Sequence, residues 1–87
     1  MKLALLAIAA TLAFQISYAA PKCTTEAKDK WLSEIDMKKK VEEMGFKIKT
    51  FKVAGDCYEI YGTNKDGKKA EVYFNPVDGS IVKSYIK

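Results

Sequence analysis

The sequence predicts an α+β domain in which one amphipathic helix packs on a four-stranded antiparallel β-meander. Apolar residues recur at helical spacing between positions 34 and 44, and the period changes to two from position 46 onward. Turns that contain glycine separate the period-two runs. One helix followed by hairpin-linked strands is typical of a two-layer domain, because the apolar stripe of the helix must be buried against the sheet.

A helix is predicted from about Glu34 to Met44 because suitable residues stand at both ends. Ser33 is a preferred N-cap residue, since its hydroxyl can accept a hydrogen bond from a free amide of the first turn. Gly45 suits the left-handed position that follows the last turn. The residues that repeat on one face, and that are expected to pack on the sheet, are Met37, Val41 and Met44.

The strands are predicted from alternation of apolar and polar residues. In the first strand the apolar positions shift from 46 and 48 to 51 and 53, which lie on the opposite parity, so a β-bulge is expected near Lys49 or Thr50. An Ala54-Gly55 turn ends this strand. The later strands are predicted at Cys57–Gly62, Lys69–Asn75 and about Ile81–Ile86.

The turn at Asn64-Lys65-Asp66-Gly67 predicts the register of the second and third strands. Asn and Asp favour a type I turn, and Gly67 suits the left-handed residue of a G1 bulge, so residue 64 should pair with residue 68. The helix-facing pairs are then Gly62 with Ala70, Ile60 with Val72 and Tyr58 with Phe74. The pairs on the opposite face are Tyr61 with Glu71 and Glu59 with Tyr73.

The fourth strand follows a turn at Asn75-Pro76-Val77-Asp78-Gly79, in which proline fixes one backbone angle and glycine takes a left-handed position. The register of this strand is not determined by its sequence. Its apolar residues fall on both parities, at positions 81, 82, 85 and 86. Trp31 is expected to cover an edge of the core.

The composition excludes several kinds of chemistry. The 87 residues include two Cys and no His, so there is no imidazole base, no Ser-His or Cys-His pair and no His metal ligand. Two thiols cannot complete a structural zinc site, and no Cys-x-x-Cys-His haem attachment motif is present. We therefore expect neither a cofactor nor a metal.

The charge pattern does not favour nucleic-acid binding. The net charge of +4 is modest, and the three consecutive lysines of Lys38–Lys40 spread around the helix and are followed by Glu42 and Glu43. A solvated helix face is the expected role of these residues. Weak contact with an anionic envelope polymer or a lipid headgroup is the alternative.

Residues 1–19 are predicted to be a secretory signal peptide. Lys2 precedes an apolar run from Leu3 to Phe14, and cleavage after Ala19 places the small residue Ser17 three positions before the cut. The run is too short to span a membrane, and no stable membrane anchor is expected after cleavage. Residues 20–30 are predicted to form an N-terminal extension that carries Cys23, and residues 31–87 the folded domain. The expected location is the bacterial periplasm or the medium.

Cys23 and Cys57 are predicted to form a structural disulfide. A core of this size supplies only about 3–5 kcal/mol, and an exported domain so small is expected to carry a covalent crosslink. Closing the loop between the two cysteines removes roughly 4 kcal/mol of denatured-chain entropy in the loop-closure model. A redox-active pair is the less favoured alternative, because such pairs are typically spaced Cys-x-x-Cys.

The candidate partner-binding residues are Glu59, Tyr61, Glu71 and Tyr73, which are predicted on the sheet face opposite the helix. If nothing covers this face, its clustered aromatic residues resemble those enriched at protein interfaces. The competing interpretation is that they are ordinary solvent-facing pairs that stabilise the sheet. Catalysis by the two carboxyls is disfavoured, because an open, lysine-rich sheet offers no pocket to raise a carboxyl pKa.

These features together resemble the PepSY domain family, over roughly Trp31 to Lys83. The resemblance is carried by the helix that ends at Gly45, Tyr58-Glu59-Ile60-Tyr61, the Asp66-Gly67 hairpin, Glu71-Val72-Tyr73-Phe74 and Asn75-Pro76-Val77-Asp78-Gly79. The cysteine pair is not part of the general family pattern and resembles that of a subgroup of small, exported, single-domain bacterial proteins.

The resemblance implies a non-catalytic binding or regulatory module. PepSY domains occur in propeptides of secreted metallopeptidases, where they act as folding aids and inhibitors, and in other bacterial envelope proteins. The implied role is that of a peptidase inhibitor or modulator acting in trans, with an unidentified envelope or secreted protein as partner. The alternative is an accessory protein of a membrane complex of the cytochrome type, without a cofactor of its own. The family carries no active-site residues that could be transferred to this sequence.

Overall fold

The computed structural model describes residues 19–87, so all of the predicted signal peptide except Ala19 lies outside the described residues. A short 3-10 turn at Lys28–Lys30 precedes the helix α1 at Glu34–Glu43. The strands are β1 at Lys47–Ala54, β2 at Cys57–Thr63, β3 at Lys69–Phe74 and β4 at Ile81–Ile86. They form one antiparallel sheet in the order β1-β2-β3-β4, which confirms the predicted α+β meander.

Helix α1 begins as predicted and ends earlier than predicted. The Asp36 amide donates a hydrogen bond to Ser33 Oγ at 3.1 Å, so Ser33 is the N-cap residue. Gly45 takes a positive φ of 97° just beyond the helix. Met44 is the C-cap residue and is 40% exposed, so its predicted place in the core was wrong. Because the helix ends before Met44, the buried apolar stripe of the helix consists of Met37 and Val41.

The predicted bulge and hairpin register are confirmed. The register of β1 against β2 shifts between Ile48 and Thr50, which leaves Lys49 as the bulged residue. All the predicted pairs between β2 and β3 are present. The hairpin closes through hydrogen bonds from the Asn64 amide to the Lys68 carbonyl at 2.8 Å and from the Gly67 amide to the Asn64 carbonyl at 2.9 Å.

The structure determines the register of β4, which the sequence left open. Ala70 pairs with Ile86, and Tyr73 pairs with Lys83. Phe74 pairs with Ile81, so Val82 is an extra residue at a second irregularity. The apolar residues of β4 fall on both parities because of this one-residue shift.

The core lies between α1 and the sheet. Met37 and Val41 are fully buried against the helix-facing side chains of β2 and β3, which are Tyr58, Ile60, Ala70, Val72 and Phe74. Trp31 is half-buried and meets Tyr58 edge-to-face, with 5.2 Å between ring centroids. The Tyr58 hydroxyl donates to the Leu32 carbonyl at 2.6 Å and so ties the chain before α1 to the sheet.

In the part of the chain that the structure describes, no helix has both the length and the apolar character needed to cross a membrane.

Candidate functional site

The sheet face that points away from α1, here called the outer face, carries the predicted partner-binding residues. The strand register places acids and tyrosines at its centre and lysines around them. The central residues are Glu59, Tyr61, Glu71, Tyr73 and Tyr85. The surrounding lysines, here called the lysine rim, are Lys47, Lys52, Lys69, Lys83 and Lys87, and all five are exposed.

The four predicted residues would stand exposed if nothing covered this face, but the structure shows none of them fully exposed. Glu59 is 2% exposed, Glu71 is 8% exposed and Tyr73 is 1% exposed, whereas Tyr61 is half-buried. All four belong to the inner strands β2 and β3, so neighbours from both edge strands can cover them. Tyr85 of β4 packs edge-to-face on Tyr73, with ring centroids 6.5 Å apart.

Glu71 is the acceptor at the centre of a tyrosine network. The hydroxyls of Tyr61 and Tyr73 each donate to Glu71 Oε2 at 2.9 Å. Desolvation by burial acts to raise the pKa of Glu71, but hydrogen bonds from Glu59, Tyr73 and Tyr61 outweigh it and lower the pKa below its ordinary value. Glu71 is therefore the ionised member of the acidic pair.

Glu59 is the member of the pair whose pKa is raised. Burial raises the pKa of Glu59, and a side-chain hydrogen bond with Glu71 raises it further. Two carboxyls can share a hydrogen bond only when one of them is protonated. Glu59 Oε2 is buried and has no hydrogen-bond partner among the described residues.

One lysine of the rim is an ion-pair partner of this acidic pair. Lys52 Nζ lies 3.6 Å from Glu59 Oε1 and also stands 5.3 Å from the centre of the Tyr61 ring. The same burial and the neighbouring carboxylates raise the pKa of Tyr61 and that of Tyr73. Both phenols therefore remain hydroxyl donors at ordinary pH.

The predicted disulfide is present at one end of the outer face. Cys23 and Cys57 are joined, with their Cα atoms 5.1 Å apart and a sequence separation of 34. The Cys23 amide donates to Asp56 Oδ1 at 2.7 Å, which fixes the N-terminal extension against the β1–β2 turn. The Asp56 carboxylate and the two sulfurs lie within 4.8 Å of one another, but the sulfurs are bonded to each other and offer no thiolate to a metal.

Sequence reasoning missed the contribution of the edge strands to this face. Lys52 lies opposite Glu59, and Tyr85 lies opposite Glu71. The bulge predicted near Lys49 could have identified Lys52 as a residue of the outer face, because a one-residue shift moves position 52 onto the same face as Glu59. No comparable local signal existed for Tyr85, since the register of β4 was undetermined.

The fold and the outer face define a small α+β module with a buried pair of acids and a basic surface around it. The family model of PepSY_2, described as peptidase propeptide and YPEB domain, matches residues 2–85. The protein therefore belongs to the PepSY_2 family, which confirms the resemblance of the helix, hairpin and turn sequences. Comparisons with curated proteins and with solved structures gave no match.

Proposed function

We propose that this protein is an exported, non-catalytic binding module that regulates a peptidase or another envelope protein in trans. The observation that carries the proposal is membership of a family described by peptidase propeptides, over residues 2–85. A module that binds a peptidase within a propeptide needs surface complementarity and no reactive group of its own. The same surface chemistry can act between separate chains.

The state of the acidic pair supports a structural role for it within this module. Divergent carboxyl pKa values are also the signature of acid–base catalysis, but such catalysis needs carboxyls that a substrate can reach. Glu59 and Glu71 are 2% and 8% exposed, and Glu71 Oε2 already accepts two tyrosine hydroxyls. A catalytic carboxyl must reach the proton that it transfers, and burial keeps both of these carboxyls from solvent and from a substrate.

Export is supported by the disulfide. Disulfides persist in oxidising compartments such as the bacterial periplasm, and Cys23 is bonded to Cys57. The predicted signal peptide of residues 1–19 would deliver the chain there. Periplasmic or secreted location is therefore part of the proposal.

The proposal is tested on exported peptidases of the producing bacterium. Fractions of the periplasm and culture medium are assayed for casein hydrolysis with and without the purified, disulfide-bonded protein, and any responsive fraction is crosslinked to it. We expect a stoichiometric change in the activity of one fraction and a crosslinked product with the peptidase. An unrelated basic protein of similar size controls for charge. Unchanged hydrolysis in every fraction, with no crosslinked product, would contradict the proposal.

A further inference from the structure

The outer edge of β4 is a strand edge with no neighbouring strand in the described chain. β4 is the last strand in the sheet order, and within residues 19–87 no strand pairs with its far side. Its large apolar residues are unusually open, since Ile81 is 47%, Val82 is 40% and Ile86 is 44% exposed. Unpaired strand edges are ready templates for another extended chain.

The direction of the backbone groups on this edge follows from one hydrogen bond. The Lys87 amide donates to the Lys69 carbonyl at 2.9 Å, so residue 87 points its backbone groups toward β3. Backbone groups alternate in direction along an antiparallel strand, so the amides and carbonyls of Tyr85 and Lys83 also point toward β3. The amides and carbonyls of Ser84 and Ile86 therefore point outward, where an added strand would bind them.

The side chains along this edge present two different surfaces. Lys83, Tyr85 and Lys87 lie on the outer face, and Ser84 and Ile86 lie on the face that carries α1. Residues four apart on a strand are separated by about 14 Å, which is also the spacing of side chains at i and i+4 in an extended partner. An antiparallel partner would place its residues opposite Lys83 and Lys87 at non-hydrogen-bonded positions, where side chains approach most closely.

We propose that β4 binds an extended acidic segment of a partner protein as a fifth strand, with carboxylates four residues apart opposite Lys83 and Lys87. The residue of the segment opposite Ile86 is apolar. Main-chain hydrogen bonds to Ser84 and Ile86 supply affinity, and the two ion pairs fix the register. This inference rests on the proposed binding function and specifies the chemistry of the partner.

The charge pattern favours such a segment over a second copy of this chain. Two β4 strands paired antiparallel about Tyr85 would set Lys83 of each copy against Lys87 of the other. Like charges directly opposite one another destabilise a strand pair. The nearby exposed Lys69 adds to the positive potential of this end of the sheet.

The inference is tested with a capped synthetic peptide of core sequence Glu-Val-Thr-Val-Glu, labelled for fluorescence anisotropy at low salt. The double variant Lys83→Glu/Lys87→Glu should weaken binding by at least about tenfold, because it replaces two attractive pairs with repulsive ones. The matched control Lys30→Glu/Lys39→Glu makes the same change in net charge at two exposed residues away from β4. This control should bind within about twofold of the unaltered protein, since distant surface charges are screened by salt.

A backbone variant separates strand addition from simple charge attraction. Ser84→Pro removes the outward amide of Ser84 without removing a hydrogen bond to β3. Proline is tolerated on an edge strand at a position whose amide would face solvent. We expect it to keep a cooperative melt and to lose peptide binding, whereas Ser84→Ala retains binding. Equal binding by the two variants, a peptide that does not bind the unaltered protein, or a β4-paired dimer in sedimentation would each overturn the inference. An intact effect on the exported peptidase alongside any of these results would leave the proposed function standing.

Discussion

At the scale of single residues, the state of Glu59 is decided by its surroundings. Its carboxyl is 2% exposed, bonded to Glu71 and 3.6 Å from Lys52 Nζ. The sequence places an acid and a tyrosine opposite each other, which is a common solvent-facing pair. Burial raises the pKa of Glu59, because an ionised carboxylate loses more hydration on burial than a neutral acid does.

The raised pKa of Glu59 predicts a stability that falls with rising pH. The pKa of Glu59 is raised in the folded state, so its favourable contribution is fully present below the unfolded pKa and is lost as the pH rises through the folded pKa. Glu71 has the opposite shift, and its contribution is lost only as the pH falls below the ordinary glutamate range. Above that range, Glu59 is therefore the member of the acidic pair that sets the slope.

We expect Glu59→Gln to flatten the decline in unfolding free energy between weakly acidic and weakly alkaline pH. The amide keeps a donor for Glu71 and cannot ionise. Urea unfolding across this range measures the effect, with the exposed Glu43→Gln as the matched control. Parallel stability curves for the Glu59 variant and the unaltered protein would show that Glu59 is already ionised in the fold.

At the scale of elements, the start of β1 is held against β2 by a close backbone approach at Gly62. Gly62 pairs with Ile48 at the edge of the bulge and faces the helix side of the sheet. A Cβ atom added at Gly62 would overlap the carbonyl oxygen of Lys47. Gly62 is not among the glycines with a positive φ, so a left-handed conformation is not the reason for glycine at this position. Glycine is required because the two backbones approach too closely to leave room for a Cβ atom.

We expect Gly62→Ala to destabilise the domain by about 1–3 kcal/mol, as overpacking does in a closely packed region. Hydrogen exchange should show the loss of protection concentrated in the amides that join the start of β1 to β2. The control is Gly67→Ala, which strains a hairpin residue with a φ of 78° but meets no atom within 4 Å. Its β1 protection pattern should match that of the unaltered protein. A uniform loss of protection in both variants would contradict this account of Gly62.

At the scale of the whole molecule, the disulfide joins two parts that the sheet alone does not connect. Cys23 belongs to the N-terminal extension, and Cys57 opens β2 at full burial. Tyr73 packs with both cysteines in a small cluster on the outer-face side, separate from the core under α1. The bond thus secures the extension over one end of the outer face.

We expect Cys23→Ala/Cys57→Ala to lower the unfolding free energy by about 4 kcal/mol, because the crosslink no longer restricts the denatured chain. Denaturant unfolding of the variant should coincide with that of the reduced, alkylated protein. Thiol titration of the native protein should find no free thiol. A loss of only a few tenths of a kcal/mol would mean that the extension contributes little to the cooperative fold.

The sequence by itself determined the fold, because its signals are local. Ser33 and Gly45 mark the limits of α1, the Asn64–Gly67 turn fixes the register of β2 and β3, and the parity change marks the bulge at Lys49. Each of these features depends on residues within a few positions of one another, so no distant contact is needed to predict it.

Only the tertiary structure decided what the outer face exposes. The sequence predicted acids and tyrosines on a face that is exposed only if nothing covers it, whereas the fold buries Glu59 and Glu71 and leaves the lysine rim in solvent. Lys52 of β1 lies opposite Glu59 and Tyr85 of β4 lies opposite Glu71, and an irregularity in the register of each edge strand sets these positions. Burial and protonation depend on neighbours distant in sequence, and no local pattern specifies them.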